Sequence, residues 1–401
     1  MKTSKEITDQ YNERSVPNLR YHTFNLLDIN ADYVNEVLSD HYRDLFCQVK
    51  DVTVAPIGGG FNSEITGSGI FKIVVDGRVG DKPAPSLILK STLPYRQQQD
   101  TLFKRLINIG NSDFVDILDK YPSNRIAQRE LMSYLFLPEK IPIRMPMLYL
   151  GVIDEETDQS WIFMEDLSSL RSMGQEDWTK GRIKLVLQNM AGFHSAFWGK
   201  SSSLDTISWI GRWWGNKDND YAAKDVARYA VRESAKYHPD LLTPGRLRIL
   251  EKALSQRESI HNLFIQEPQT IIHWDFGPQN LRVDKAKTNE EQLVVFDWQT
   301  TSIGLPQWDI AQFLMPIIET GDKEQIHNFI NFYISMLPSE IRNKIDMVKF
   351  MRTFDLVVLD HFFRVCGSIL LTGKSIDKKG NLYSEWKNCL NWIEAESARW
   401  I

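Results

Sequence analysis

Hydrophobic positions recur every second residue in short runs through much of the first 165 residues, then mostly every third and fourth residue beyond. Period two fits strands, and the three-four spacing fits amphipathic helices. Residues 52–57, 69–75 and 87–91 are predicted strands, as are 147–153 and 161–164, the last two separated by a polar turn at 154–159. Residues 31–42 place Val34, Val37, Leu38 and Tyr42 at helical spacing behind Asn30, a side chain suited to cap a helix. Ala127, Leu131, Tyr134 and Leu135 form an apolar face that predicts a helix over 124–135, with Glu130 beside it. The stretch 92–122 is charged and helical in part, with Leu102, Leu106 and Ile109 on one stripe. Beyond residue 176 the pattern is mainly helical. Helices are predicted over 182–198, 225–237 and 246–265, the last behind Thr243 and Pro244 as cap and first-turn proline. Another starts near Pro306, and 323–401 reads as amphipathic helices broken at Pro338 and near 373–380. His194 lies on the apolar side of its helix and reads as a packed core histidine.

One pair of runs interrupts this helical half. Residues 271–283 and 293–299 are apolar and β-branched, and a polar turn-former, 284–292, lies between them, so they predict a hairpin. In an antiparallel pair the start of the first strand lies beside the end of the second. Asn280 and Asp297 therefore meet at one end of the ribbon, with Asp275 on the loop just before it. Two carboxylates and an amide oxygen converge there, hard donors suited to Mg²⁺ and to accepting a hydroxyl proton.

Composition narrows the chemistry. The 401 residues leave room for two or three units, and the formal net charge is −5. No basic run or basic-aromatic repeat points to nucleic acid. Cys47, Cys366 and Cys389 have no C-x-x-C spacing, so they are read as buried, reduced thiols and not as a disulfide framework or zinc site. Residues 1–20 are polar and charged, unlike a signal peptide, and no apolar run approaches the roughly 20 residues of a membrane span. A cytoplasmic protein without membrane attachment is expected.

Between the first two predicted strands lies Gly58-Gly59-Gly60-Phe61-Asn62-Ser63. A glycine-rich turn lets backbone N–H groups approach phosphate oxygens without Cβ interference. It is not a Walker A loop, because no Gly-Lys-Ser/Thr opens a helix there. One strand later, Lys90 stands at the end of an apolar run. His273-x-Asp275-x-x-x-x-Asn280 reproduces the H-x-D-x-x-x-x-N catalytic loop of kinases, and Asp297 stands where their second magnesium ligand stands. On these residues the chain resembles the aminoglycoside phosphotransferase and choline kinase superfamily from about residue 52 to about 314. Within it, the chain looks closest to the ecdysteroid-kinase-like small-molecule kinases.

That resemblance implies an α+β, bilobal protein-kinase-like fold, with a small antiparallel-sheet N-lobe and a larger, mainly helical C-lobe. It implies an N-lobe over 1–164, a hinge over 165–170, and a C-lobe over 171–401 with a substrate-side helical insertion at about 200–266. In the family pattern Glu130 pairs with Lys90, the backbone of Glu165, Asp166 and Leu167 meets the adenine edge, and Asp309 braces the catalytic loop. ATP or GTP and Mg²⁺ are the implied cofactors. Gly58 to Ser63 and Lys90 would hold the phosphates, Asn280 and Asp297 the metal, and Asp275 the acceptor hydroxyl. Trp274 departs from the glycine common in the family's His-Gly-Asp loop and puts an indole beside the acceptor mouth.

The acceptor is expected to be a small molecule. Too few residues separate Asp297 from Pro306 for a peptide-binding activation segment, and no Asp-Phe-Gly or Ala-Pro-Glu follows. Residues 200–266 hold more Lys and Arg than Asp and Glu, which disfavours a polycation and favours a neutral or apolar-bodied alcohol. Two rival readings exist. A metal hydrolase lacks its companion ligands, since the eight histidines include no His-x-His or His-Glu-x-x-His. A kinase-fold nucleotide-binding or regulatory protein without turnover would retain the same five polar residues.

Overall fold

A computed structural model describes residues 26–57, 69–93, 126–154, 159–174, 177–204, 209–212, 224–284, 291–318, 322–372 and 381–401, with isolated positions between them. The glycine-rich run Gly58 to Ser63 lies outside the described residues, as does most of 92–122.

The first helix, α1 (Ala31–His41), begins where the Asn30 side chain accepts the Tyr33 N–H at 3.0 Å. Its buried Val34, Val37 and Leu38 share one face, which packs on the sheet that follows. That sheet contains β1 (Cys47–Pro56), β2 (Gly69–Val79), β3 (Leu87–Thr92), β4 (Leu148–Asp154) and β5 (Gln159–Glu165). Its order is β1-β2-β3-β5-β4, antiparallel throughout, and Lys82–Pro83 forms a short strand against β2. Both β1 and β2 are longer than the sequence predicts. In β1, Cys47 is half-buried, unlike the buried Cys366 and Cys389, and all three thiols are free.

Strand β5 shows why one sheet serves two cores. Side chains alternate across a strand, so Trp161 and Phe163 join the α1 core while Ile162 and Met164 join the helical core. Helix α2 (Ile126–Phe136) packs on the helical side, with Leu131, Tyr134 and Phe136 buried there. Between α2 and β4, Arg144 reaches across to Glu165 at 2.5 Å, tying the end of β5 to that segment.

The helical half comprises α3 (Lys180–Phe197), α4 (Lys224–Tyr237), α5 (Pro244–Ser255), α6 (Arg257–Ile265), α7 (Pro306–Ile317), α8 (Lys323–Met336), α9 (Met347–Thr372) and α10 (Asn381–Ala395), with shorter turns between. Thr243 caps α5, with Pro244 in its first turn. The expected single helix over 246–265 is two helices. The break falls at Gln256, whose N–H bonds back to Lys252 and Ala253, while the apolar spacing runs on across it. No described helix is long and apolar enough to cross a membrane.

The expected strand over 271–283 is also divided. Thr270–Ile272 pairs antiparallel with Ser302–Gly304, which in turn pairs in parallel with Gly211–Arg212. The hairpin is confined to Leu281–Asp284 against Gln292–Val295, with Arg171–Ser172 on its other side. Between the two pieces the chain leaves the ladder at Trp274, which has φ +59°, and forms a 3₁₀ turn over Pro278–Asn280. The result is a mixed α+β, bilobal kinase-like fold.

One glycine in the sheet is sterically fixed. A Cβ on Gly77 would lie 2.3 Å from the Gln48 carbonyl oxygen and 2.9 Å from Val49 Cα, where the β1–β2 register shifts. Gly77→Ala is expected to cost about 1–3 kcal/mol by overpacking, read as a lower midpoint in chemical denaturation. Unchanged stability would mean that the bulge yields freely.

Candidate active site

The hairpin register sets one wall of the site. Leu281 pairs with Val295, and the Phe296 N–H donates to the Asn280 carbonyl at 3.2 Å. Asn280 and Asp297 thus flank one end of the ribbon. The Asn280 amide nitrogen donates to the Asp275 carboxylate at 2.9 Å and to the Asp275 carbonyl at 2.8 Å, so these two residues form one unit.

From the other side comes Lys90 on β3. Its Nζ lies 2.7 Å from Glu130 Oε2 on α2 and 2.7 Å from Asp297 Oδ1, and it donates to Gln299 Oε1 at 3.2 Å. Burial alone would lower the lysine pKa, but Asp297 and Glu130 outweigh it and raise it, so Lys90 stays charged. Glu130 is almost wholly buried, and desolvation raises its carboxyl to about 7, against the pull of Lys90 and with the repulsion of Asp297. A single cation therefore joins the sheet, α2 and the segment after the hairpin.

Asp275 is half-buried, and its pKa is raised, chiefly by desolvation. Arg364 pulls it down, Asp297 pushes it up, and His273 and the Asn280 hydrogen bond lower it. His273 is buried and kept neutral by desolvation; its Nε2 bonds the Phe296 carbonyl at 3.0 Å, and its Nδ1 accepts the Asp275 N–H at 3.2 Å.

The loop over 273–276 is strung on α7. Asp309 is fully buried and accepts the N–H groups of His273 at 2.8 Å and Trp274 at 2.9 Å, and bonds His194 Nε2 at 3.1 Å. His194 completes its bonds with Tyr333 OH at 2.8 Å, as expected of a packed core histidine. One turn on, Gln312 accepts the Phe276 N–H at 3.1 Å and donates to the Trp274 carbonyl at 2.9 Å. The two described non-glycine residues in the left-handed region are Trp274 and Asp297. Each costs on the order of 1–3 kcal/mol and persists where surroundings enforce it. The Trp274 indole, expected beside Asp275, is buried: it is 3% exposed, edge-on to Trp308, with Arg364 over its face.

At the end of β5, Glu165 accepts from Arg144 and from the Met147 N–H, so its side chain is committed to structure. Asp166 caps the 3₁₀ turn Leu167–Ser169 and pairs with Lys72 of β2 at 2.8 Å. Leu167 opens that turn, and its carbonyl accepts the Leu170 N–H at 2.9 Å. The neighbours that sequence reasoning missed are Gln299, Gln312 and Arg364. Gln312 follows Asp309 by one helical turn, a spacing that places it on the same face.

Asn280 and Asp297 offer the oxygen donors that Mg²⁺ prefers. The Asn280 amide oxygen and Asp297 Oδ2 accept no hydrogen bond among the described residues, while Lys90 is bound to the other Asp297 oxygen. The donor set fits such an ion.

The chain is similar to proteins of known kind. Residues 151–342 match the model of the phosphotransferase enzyme family. Among solved structures, the GDP complex of an aminoglycoside 2'-phosphotransferase-IIIa mutant superposes with a TM-score of 0.51 at 13% identity, covering 91% of this chain and 98% of that one. A microcompartment-associated aminopropanol kinase superposes at 0.48 with 10% identity over 92% and 98%. An ethanolamine kinase of Plasmodium vivax superposes at 0.45 with 12% identity over 98% and 95%. The first superposition shows the expected kinase-like fold, and the family match, over just under half of the chain, is a likeness to the phosphotransferase enzyme family.

Asp309→Ala strips an acceptor from two buried N–H groups and a histidine, and is expected to cost on the order of 3–5 kcal/mol. A loss below about 1 kcal/mol in urea unfolding would show that water or another side chain replaces it.

Proposed function

We propose that this chain transfers the γ-phosphoryl group of ATP or GTP to a hydroxyl of a small-molecule alcohol, with Mg²⁺. The observation that carries the reading is the convergence of Lys90, Glu130 and Asp297 at 2.7 Å contacts, close to the hydrogen-bonded Asp275–Asn280 pair. The match of residues 151–342 to the phosphotransferase enzyme family supports it.

Phosphoryl transfer asks a protein for alignment and charge compensation more than covalent chemistry. Lys90, oriented by Glu130, would hold nucleotide phosphates. Asn280 and Asp297 would hold Mg²⁺, which neutralises phosphate charge when bound. Asp275 would accept the acceptor's hydroxyl hydrogen bond, and burial that raises its pKa makes it a better base near neutral pH. Gly58 to Ser63 would cradle the phosphates on sequence grounds, and the backbone of Glu165, Asp166 and Leu167 would meet the base. On this reading 1–164 form the N-lobe, 165–170 the hinge and 171–401 the C-lobe.

Within the superfamily the reading keeps to the ecdysteroid-kinase-like group; the short span from Asp297 to Pro306 favours a small-molecule acceptor over a peptide, and the excess of Lys and Arg over 200–266 favours a neutral or apolar-bodied one. The three free thiols fit a reducing, cytoplasmic setting.

The test is incubation with Mg-ATP and Mg-GTP against a panel of alcohols, with phosphorylated products read by mass spectrometry. Nucleotide binding with no product anywhere would favour the non-catalytic alternative. Asp275→Asn should keep Mg-ATP affinity within a few-fold while turnover falls at least about 10²-fold; undiminished turnover would remove Asp275 from the reaction. Asp297→Ala should abolish the Mg²⁺-dependent part of the melting shift produced by ATP, and a full shift would refute the metal assignment.

A further inference from the structure

Arg364 lies on α9, ninety positions beyond Trp274 in sequence, yet its Nη1 donates to the Trp274 carbonyl. Its guanidinium carbon sits 4.7 Å from the centroid of the Trp274 indole. The Trp274 carbonyl and the Asp275 N–H belong to one peptide plane. That plane is held on its carbonyl side by Arg364 and by Gln312 at 2.9 Å, and on its nitrogen side by His273 Nδ1 at 3.2 Å. The preceding N–H, of Trp274 itself, is fixed by Asp309. Trp274 adopts φ +59°, which an indole-bearing residue takes up only under constraint. Helices α7 and α9 thus clamp the strained residue from two directions, and the next side chain along is Asp275.

We propose that Arg364 is a positioning residue for Asp275, acting through Trp274. The inference rests on the reading of Asp275 as the group that orients the acceptor hydroxyl. A planar guanidinium can stack on a ring with its face while donating with its edge, and an ammonium cannot do both in the same way. The cation–ring contact holds the indole, the hydrogen bond holds the peptide, and together they set the direction in which the Asp275 carboxylate leaves the chain. Of these two residues, only Asp275 would touch the acceptor.

The test is a double-mutant cycle on Mg-ATP turnover, with water or any panel alcohol that is phosphorylated as acceptor. Arg364→Met should lower kcat about tenfold, with KM for Mg-ATP and the ATP melting shift unchanged; in an Asp275→Asn background it should change the residual rate less than about twofold. Arg364→Lys, keeping charge but not the fork, should recover only part of the loss. Equal losses in both backgrounds would overturn the proposal, as would loss of the nucleotide melting shift in Arg364→Met. Should Arg364→Met fail to fold, Arg364→Gln, which keeps a donor, decides by the same cycle. Absence of wild-type turnover with every acceptor would sink the phosphotransfer reading and this proposal together. Turnover with additive losses would sink this proposal alone.

Discussion

Lys90 is the point through which the two halves of the molecule are electrostatically joined. It stands on a strand whose neighbours belong to the sheet, yet its ammonium is shared between a helix carboxylate and a carboxylate beyond the hairpin. With Glu130 almost fully buried, the lysine is the charge that offsets its desolvation, and losing the lysine would drive Glu130 toward its neutral form. The contact between sheet and helical half is therefore set by charge geometry as much as by apolar packing.

The loop bearing Asp275 has the opposite character. It carries little regular structure of its own, and its backbone groups are satisfied from outside, by Asp309 and Gln312 on α7. Burying loop backbone requires such partners, because an unpaired N–H is costly. A buried aspartate spaced one helical turn from a glutamine gives the loop a rigid edge. The left-handed residues at its start and across the site are tolerated because this edge and the hairpin both over-determine them.

Much of the architecture was legible in the chain because local periodicity and tertiary burial agree. Val34, Val37 and Leu38 predict the buried face of α1, and Asn30 its cap, as observed. The alternation over 161–164 predicts β5, and the antiparallel hairpin puts Asn280 and Asp297 at one ribbon end, with Asp275 on the loop just before it. Where periodicity misled, a backbone event broke it without altering the hydrophobic pattern. Gln256 divides one apolar stripe into two helices, and Trp274 ends a strand despite being large and apolar. Trp274 stands beside Asp275 in sequence, and that adjacency does not reveal its burial, with the indole edge-on to Trp308 and under Arg364. Arg364 left no trace in local sequence, since its partner lies in a distant segment and only the fold brings them together.

The wedging of Trp274 has an evolutionary consequence. Glycine adopts a positive φ without penalty, so replacing Trp274 by glycine would relieve backbone strain of about 1–3 kcal/mol. The same change would empty an indole-sized void between Trp308 and Arg364, and emptying a large buried aromatic site costs about 3–5 kcal/mol. Cavity therefore outweighs strain, and the glycine form is uphill as a single step. Trp274, Trp308 and Arg364 pack as one unit, so a replacement at any of them is felt at the other two.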